Sequence, residues 1–215
     1  KYAIATDSAM VVDYSQGDSL FLHGDTLQLL TFFLDTDSMY RETRAYHKVR
    51  FFRTDIQGVC DSLVFSQKDT CLTMYRDPIL WNGNQQLLGE EVMIYMNDST
   101  IDWAHIHNQT LSVEKLDTTN YNQVSGKDMK AYFKDGEMYK VDVIASVRVI
   151  YYPMEKDSTL MGMNVMEGGE LNMYLENRKL TRGVMFPQPK GTFYPMDQIP
   201  PKAKRLDNFA WFDYI

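Results

Sequence analysis

One phrase recurs along this chain and limits what it can fold into. It starts at a small or turn-forming residue, continues with one or two polar residues, and places apolar residues third and fifth after the anchor. The copies are Gly24-Asp25-Thr26-Leu27-Gln28-Leu29, Cys60-Asp61-Ser62-Leu63-Val64-Phe65, Gly89-Glu90-Glu91-Val92-Met93-Ile94, Gly126-Lys127-Asp128-Met129-Lys130-Ala131 and Gly168-Gly169-Glu170-Leu171-Asn172-Met173, with Thr6-Asp7-Ser8-Ala9-Met10-Val11 a weaker sixth. Side chains two apart share one face of a strand, so each copy presents an apolar and a polar face. The anchors lie 36, 29, 37 and 42 residues apart, too uneven for a helical repeat but natural for strand pairs joined by variable loops. The expected fold is therefore all-β, an elongated stack of antiparallel hairpins with little helix.

The alternation of Val141, Val143, Ala145, Val147 and Val149 with mostly polar neighbours predicts a half-buried strand after the Asp135-Gly136 turn. A three-residue loop with a left-handed bulge at Gly136 would pair Met129 with Val141, which we expect over a two-residue turn pairing Met129 with Asp142. A loop centred on Lys68 would pair Phe65 with Cys71 and set Cys60 and Cys71 on opposite faces, against a disulfide. Five prolines, Pro187, Pro189, Pro195, Pro200 and Pro201, fall late. The repeats are thus expected to occupy residues 1–186, and residues 187–215 to form a loop or extended edge whose aromatic end docks on the mouth of the barrel.

Twenty-two Lys and Arg against 29 Asp and Glu give a net charge of -7, which opposes general nucleic-acid binding. No apolar run approaches the roughly 20 residues of a membrane-spanning helix.

Three phrases look like those of a known family: Gly-Asp-Thr-Leu-x-Leu at Gly24, Asp77-Pro-Ile-Leu-Trp-Asn-Gly83 followed by Gln-Leu-Leu-Gly-Glu-Glu-Val, and Val124-Ser-Gly-Lys-Asp-Met129 before Val-Asp-Val-Ile-Ala. From about Thr6 to Met173 the chain resembles the OstA-like proteins of the LptA superfamily. The resemblance implies an open β-jellyroll of stacked V-shaped hairpins in the periplasm, whose apolar interior shields lipopolysaccharide acyl chains on the way to the outer membrane. It also implies partners among other jellyroll transport components, or a second copy joined by edge-strand addition. The apolar rows would line the groove through Leu27, Leu29, Leu63, Phe65, Val92, Ile94, Met129, Ala131, Val141, Val143, Leu171 and Met173. Taken from the residues alone, the same rows describe a filled core equally well. The 14 methionines suit a surface that accepts variable apolar partners.

Phosphorylated sugars call for cations, and the densest basic stretch is Arg41, Arg44, His47, Lys48, Arg50 and Arg53. A solvated edge strand guarded by positive charge explains the run as well. No nucleophile elbow, phosphate loop, dinucleotide fingerprint, zinc-protease motif or calcium loop occurs, so neither an enzyme nor a cofactor is expected. His105 and His107 share one strand face beside Trp103, without an indicated third metal ligand. The other reading is a carbohydrate-binding or carbohydrate-processing β-solenoid, in which exposed Trp81 and Tyr121 stack on sugars. An assembly scaffold is compatible with the lipid reading.

Overall fold

The computed structural model describes residues 1–14, 19–54, 56–97, 100–177 and 179–213. Alternating sequence becomes strand almost throughout: β1 (Tyr2–Asp13), β2 (Leu20–Phe32), β3 (Tyr40–Arg53), β4 (Ile56–Ser66), β5 (Cys71–Tyr75), β6 (Ile79–Asn82), β7 (Gln85–Leu88) and β8 (Glu91–Asn97). There follow β9 (Thr100–His107), β10 (Thr110–Lys115), β11 (Tyr121–Gly126), β12 (Asp128–Lys134), β13 (Glu137–Tyr151), β14 (Gly162–Glu176), β15 (Lys179–Phe186) and β16 (Lys190–Pro195). The helix among the described residues is two short 3-10 turns, Met196–Gln198 and Pro201–Lys204. The chain is all-β and every strand pairing is antiparallel.

Each crossing of the chain bends once and so contributes to two sheet arms. The first arm runs in the order β1, β2, β3, β4, β5, β8, β9, β12, β13, β14, β15. The second runs β1, β2, β3, β4, β6, β7, β10, β11, β13, β14, β16. The line of bends passes through the anchors of the repeat. Registers shift at Gly24-Asp25 in β2, at Asp7-Ser8 in β1, at His47-Lys48 in β3 and at Ala145-Ser146 in β13. The anchors are therefore creases in the middle of each excursion, rather than turns at the start of a hairpin.

Two kinds of bend alternate along the crease. Small residues make one: Gly24, Cys60, Gly89, Gly126 and Gly168. Pairs of left-handed residues make the other: Asp7-Ser8, His47-Lys48, Arg76-Asp77, Asn108-Gln109 and Ala145-Ser146 all have positive φ. Such pairs are costly for non-glycine residues and persist only where the surrounding ladders impose them. At Gly126 the need for glycine is steric, because an added Cβ would lie 2.6 Å from Val143 Cγ1 and 3.3 Å from the Ile144 carbonyl.

The apolar faces of the arms pack on each other. One buried cluster joins Leu27, Leu63, Met74, Val92, Ile106, Met129 and Val143 of the first arm with Leu22, Leu80 and Val149 of the second. A second cluster lies on the outer face of the second arm, where Leu111, Val113, Tyr121, Ile150 and Met163 meet Ile199, Ala203, Leu206, Phe209 and Trp211. The molecule thus has three layers, with the C-terminal segment as the third.

Several register expectations are corrected. Lys134 pairs with Glu137 around a two-residue Asp135-Gly136 turn, both residues left-handed, and a bulge after Tyr132 then sets Met129 opposite Val143 and Ala131 opposite Val141. Cys71 faces Ser66, one residue from the expected partner. Both cysteines are free thiols and buried. The sheet continues past residue 186, because β16 pairs with β14. The aromatic end docks on the outer face of the second arm instead of a mouth; Tyr214 and Ile215 lie outside the described residues.

Candidate functional site

The expected lining residues fall on two adjacent cross-strand rows of the first arm. One row reads Ala5, Leu27, Ala45, Leu63, Met74, Val92, Ile106, Met129, Val143, Leu171, Met185. Its neighbour reads Ala3, Leu29, Thr43, Phe65, Leu72, Ile94, Ala104, Ala131, Val141, Met173, Gly183. Six of the twelve sit in each row. Leu27, Leu63, Val92, Ile94, Met129, Ala131, Val141, Val143 and Leu171 are buried in the inter-arm cluster, and Met173 packs against it. Leu29 is 44% exposed and Phe65 half-buried, so the interior loosens on the second row near the N-terminal strands.

The facing row of the second arm is Val11, Leu22, Phe51, Gly58, Leu80, Leu87, Ser112, Val124, Val149, Met166, Gly191. Between the arms the interior is close-packed along the middle of the stack, where Val49, Met74, Val92, Ile106 and Val143 have no exposure. At the N-terminal end it is uncovered: Ala3 and Ala5 are exposed and Val11 is 47% exposed. Burial pushes the Cys60 thiol of this interior up to about 12, with Asp61 adding to the effect. The thiol is therefore an inert apolar filler, donating at 3.2 Å to the Ser62 carbonyl.

The basic run is dispersed by its own strand. On β3, Arg41 and Arg53 share the parity of the inward residues and stand at the rims of the first and second arms, whereas Arg44 and Arg50 lie on outward parity. Arg44 is taken up by Glu42 at 2.6 Å, and Lys48 lies at the crease 3.6 Å from Asp25.

Two cavities lie against the crease, each lined by a mixture of polar, charged and apolar residues. One of about 990 Å³ is bordered by Glu90, Lys127, Arg148, Glu167 and Lys190. The other, of about 870 Å³, is bordered by Tyr46, Tyr75, Arg76, Glu90, Glu91 and His107. Beside the second, on the outer face of the first arm, Tyr95 stacks on Trp103 at 4.1 Å, and the rings of His105 and His107 are 3.7 Å apart. The structure adds a residue that strand reading did not indicate. Asp128, which opens β12, brings its Oδ1 to 2.9 Å from His107 Nδ1 and 3.7 Å from His105 Nε2. Burial, then the neighbouring His107 and Lys130, hold the His105 imidazole below its usual value, with Asp128 opposing.

Trp81 and Tyr121 do not form an exposed sugar platform. Trp81 donates its indole N–H to the Phe212 carbonyl at 3.1 Å, and Tyr121 is buried against Phe209 and Trp211. Sequence reading also missed what holds the tail over them. Gln86 and Gln123 are buried, and each pairs with tail backbone through both ends of its amide. Gln86 Nε2 donates to the Ala210 carbonyl and its Oε1 accepts from the Phe212 N–H; Gln123 does the same for the Lys204 carbonyl and the Leu206 N–H.

No described helix is long and apolar enough to cross a membrane. No family model matches this chain, and no curated protein matches it. A solved structure is similar to it: LptH of Pseudomonas aeruginosa, described as the LptA-homologous periplasmic component of the lipopolysaccharide transport device. The alignment covers 68% of this chain and 95% of that one, at 15% identity and a TM-score of 0.47.

Proposed function

We propose that this chain is a non-enzymatic lipid-binding protein of the Gram-negative cell envelope, which shields lipopolysaccharide acyl chains between its two apolar arms during passage across the periplasm to the outer membrane. The observation that carries this reading is the pair of inward rows, which run from β1 to β15 with Thr43 as their one hydroxyl. With neighbouring strands about 4.8 Å apart, such a row is longer than one extended acyl chain and offers it apolar wall along its whole length, and each methylene taken from water between such walls contributes about 0.8 kcal/mol. Entry is at the N-terminal strands, where Ala3, Ala5 and Leu29 leave the interior uncovered; farther along, the arms must part at the crease. Headgroup phosphates would meet Arg41 and Arg53, which share inward parity at the two rims, with Arg44, Lys48 and Arg50 as outer cations.

Partners join at the ends of the stack. Among the described residues β1 pairs only with β2, and it carries Tyr2, Ile4 and Met10 in exposed positions, which suits addition of a strand from another jellyroll component or a second copy. One experiment covers both parts. A photo-crosslinking side chain at Leu29, Phe65 or Met129 should capture lipopolysaccharide in cells, the same group at outward Thr73 or Met93 should not, and at Ile4 it should capture protein. Lipid capture at outward positions equal to that at inward ones, or none at any inward position, overturns the proposal.

A further inference from the structure

We propose that His105, His107 and Asp128 form a site for one divalent transition-metal cation of the zinc class on the outer face of the first arm. Their donor atoms all lie within 4.8 Å of one another. Zinc bonds nitrogen and carboxylate oxygen at roughly 2.0–2.2 Å, so the ligands of a tetrahedral ion sit roughly 3.3 Å apart. The Asp128 Oδ1 distances, 2.9 Å to His107 and 3.7 Å to His105, bracket that spacing. The two histidine donors, within 4.8 Å of each other, must close by up to roughly 1.5 Å between them to reach the ligand spacing of a tetrahedral ion, which rotation of the two imidazoles about their side-chain torsions supplies.

The fold supplies the third ligand from a distance. His105 and His107 alternate with buried Ala104 and Ile106 on β9, which fixes both rings outward. Pairing of β9 with β12 sets Lys130 beside His105, and therefore Asp128 beside His107. The crease at Gly126-Lys127 makes Asp128 the first residue of that strand. All three side chains are shielded, at 15%, 35% and 19% exposure. On the other flank Glu91 pairs with His107 across β8 and β9, and His107 lines the 870 Å³ cavity together with Glu90 and Glu91. His107 thus joins the three ligands to a cavity carrying two carboxylates, and a donor set of imidazole nitrogen and carboxylate oxygen suits zinc. Lys130 is the one cation paired directly beside the histidines and weakens the site without occupying it.

The test is titration of the whole chain with zinc ion alone, read by calorimetry and by metal content after dialysis. One zinc per chain is expected. Asp128→Asn, which keeps shape while removing charge, and His107→Ala should each weaken binding at least 10-fold, while His47→Ala should leave it unchanged. Far-ultraviolet circular dichroism of each variant separates lost ligation from lost folding. No stoichiometric binding by the wild-type chain, or binding kept in the folded His105→Ala, His107→Ala double variant, overturns the proposal. Lipid capture by the inward rows is measured independently, so either proposal can fail alone.

Discussion

The crease is decided residue by residue, and its glycines are not equivalent. At Gly126 the Val143 methyl and the Ile144 carbonyl occupy the space a side chain would need; at Gly24 the nearest atoms to an added Cβ are 3.5 Å away and φ is not left-handed. Gly126→Ala should therefore destabilise the chain by about 1–3 kcal/mol through overpacking. Gly24→Ala should stay within about 0.5 kcal/mol of wild type. Urea denaturation of the two variants checks the contrast, and equal losses would mean that the bend at Gly126 is not packing-limited. The left-handed bends are a harder case for sequence reading. His47-Lys48, Arg76-Asp77 and Ala145-Ser146 have no glycine to mark them, because their conformation is imposed by the ladders on either side instead of by local preference.

At the scale of elements, what was legible in the sequence is what period two can encode. Leu27, Leu63, Val92, Met129 and Leu171 all lie on one inward row because alternation fixes parity whatever the loop lengths. Pairings across turns were less legible: a bulge after Tyr132 and a one-residue shift at Cys71 move partners while leaving most inward residues inward. Asp128 was invisible as a partner of His107 because a pairing between β9 and β12 brings it there. Nothing in the local sequence marks Gln86 and Gln123 as buried, and only the docked third layer turns them into buried bridges to backbone.

Those bridges are testable as a unit. Replacing Gln86 and Gln123 by alanine removes one partner from each of the Lys204, Leu206, Ala210 and Phe212 backbone groups, although the Lys204 carbonyl still accepts from the Arg205 guanidinium at 2.8 Å. Each group left unpaired costs about 1–3 kcal/mol. Limited trypsin digestion should then cut after Lys202, Lys204 or Arg205 in the double variant well before any cut in the sheet. An unchanged digestion pattern would show that the apolar contacts of Leu206, Phe209 and Trp211 hold the tail by themselves.

For the whole molecule, three layers divide the tasks. The tail seals the outer face of the second arm, which frees the inter-arm space to be the apolar interior, while charged and polar groups collect along the crease and its cavities. Under the lipid-binding function proposed above, close packing in the middle and uncovered positions at β1 and β2 put the entry of an acyl chain at the N-terminal end. The direct measurement uses an environment-sensitive fluorophore on a single cysteine, with Cys60 and Cys71 changed to alanine. Labels replacing Leu29 or Phe65 should shift to the blue when intact lipopolysaccharide is added, and stay unchanged with the deacylated oligosaccharide; a label replacing Met93 should respond to neither. A response to the oligosaccharide alone, or to lipopolysaccharide only from the Met93 position, would contradict an interior that binds acyl chains.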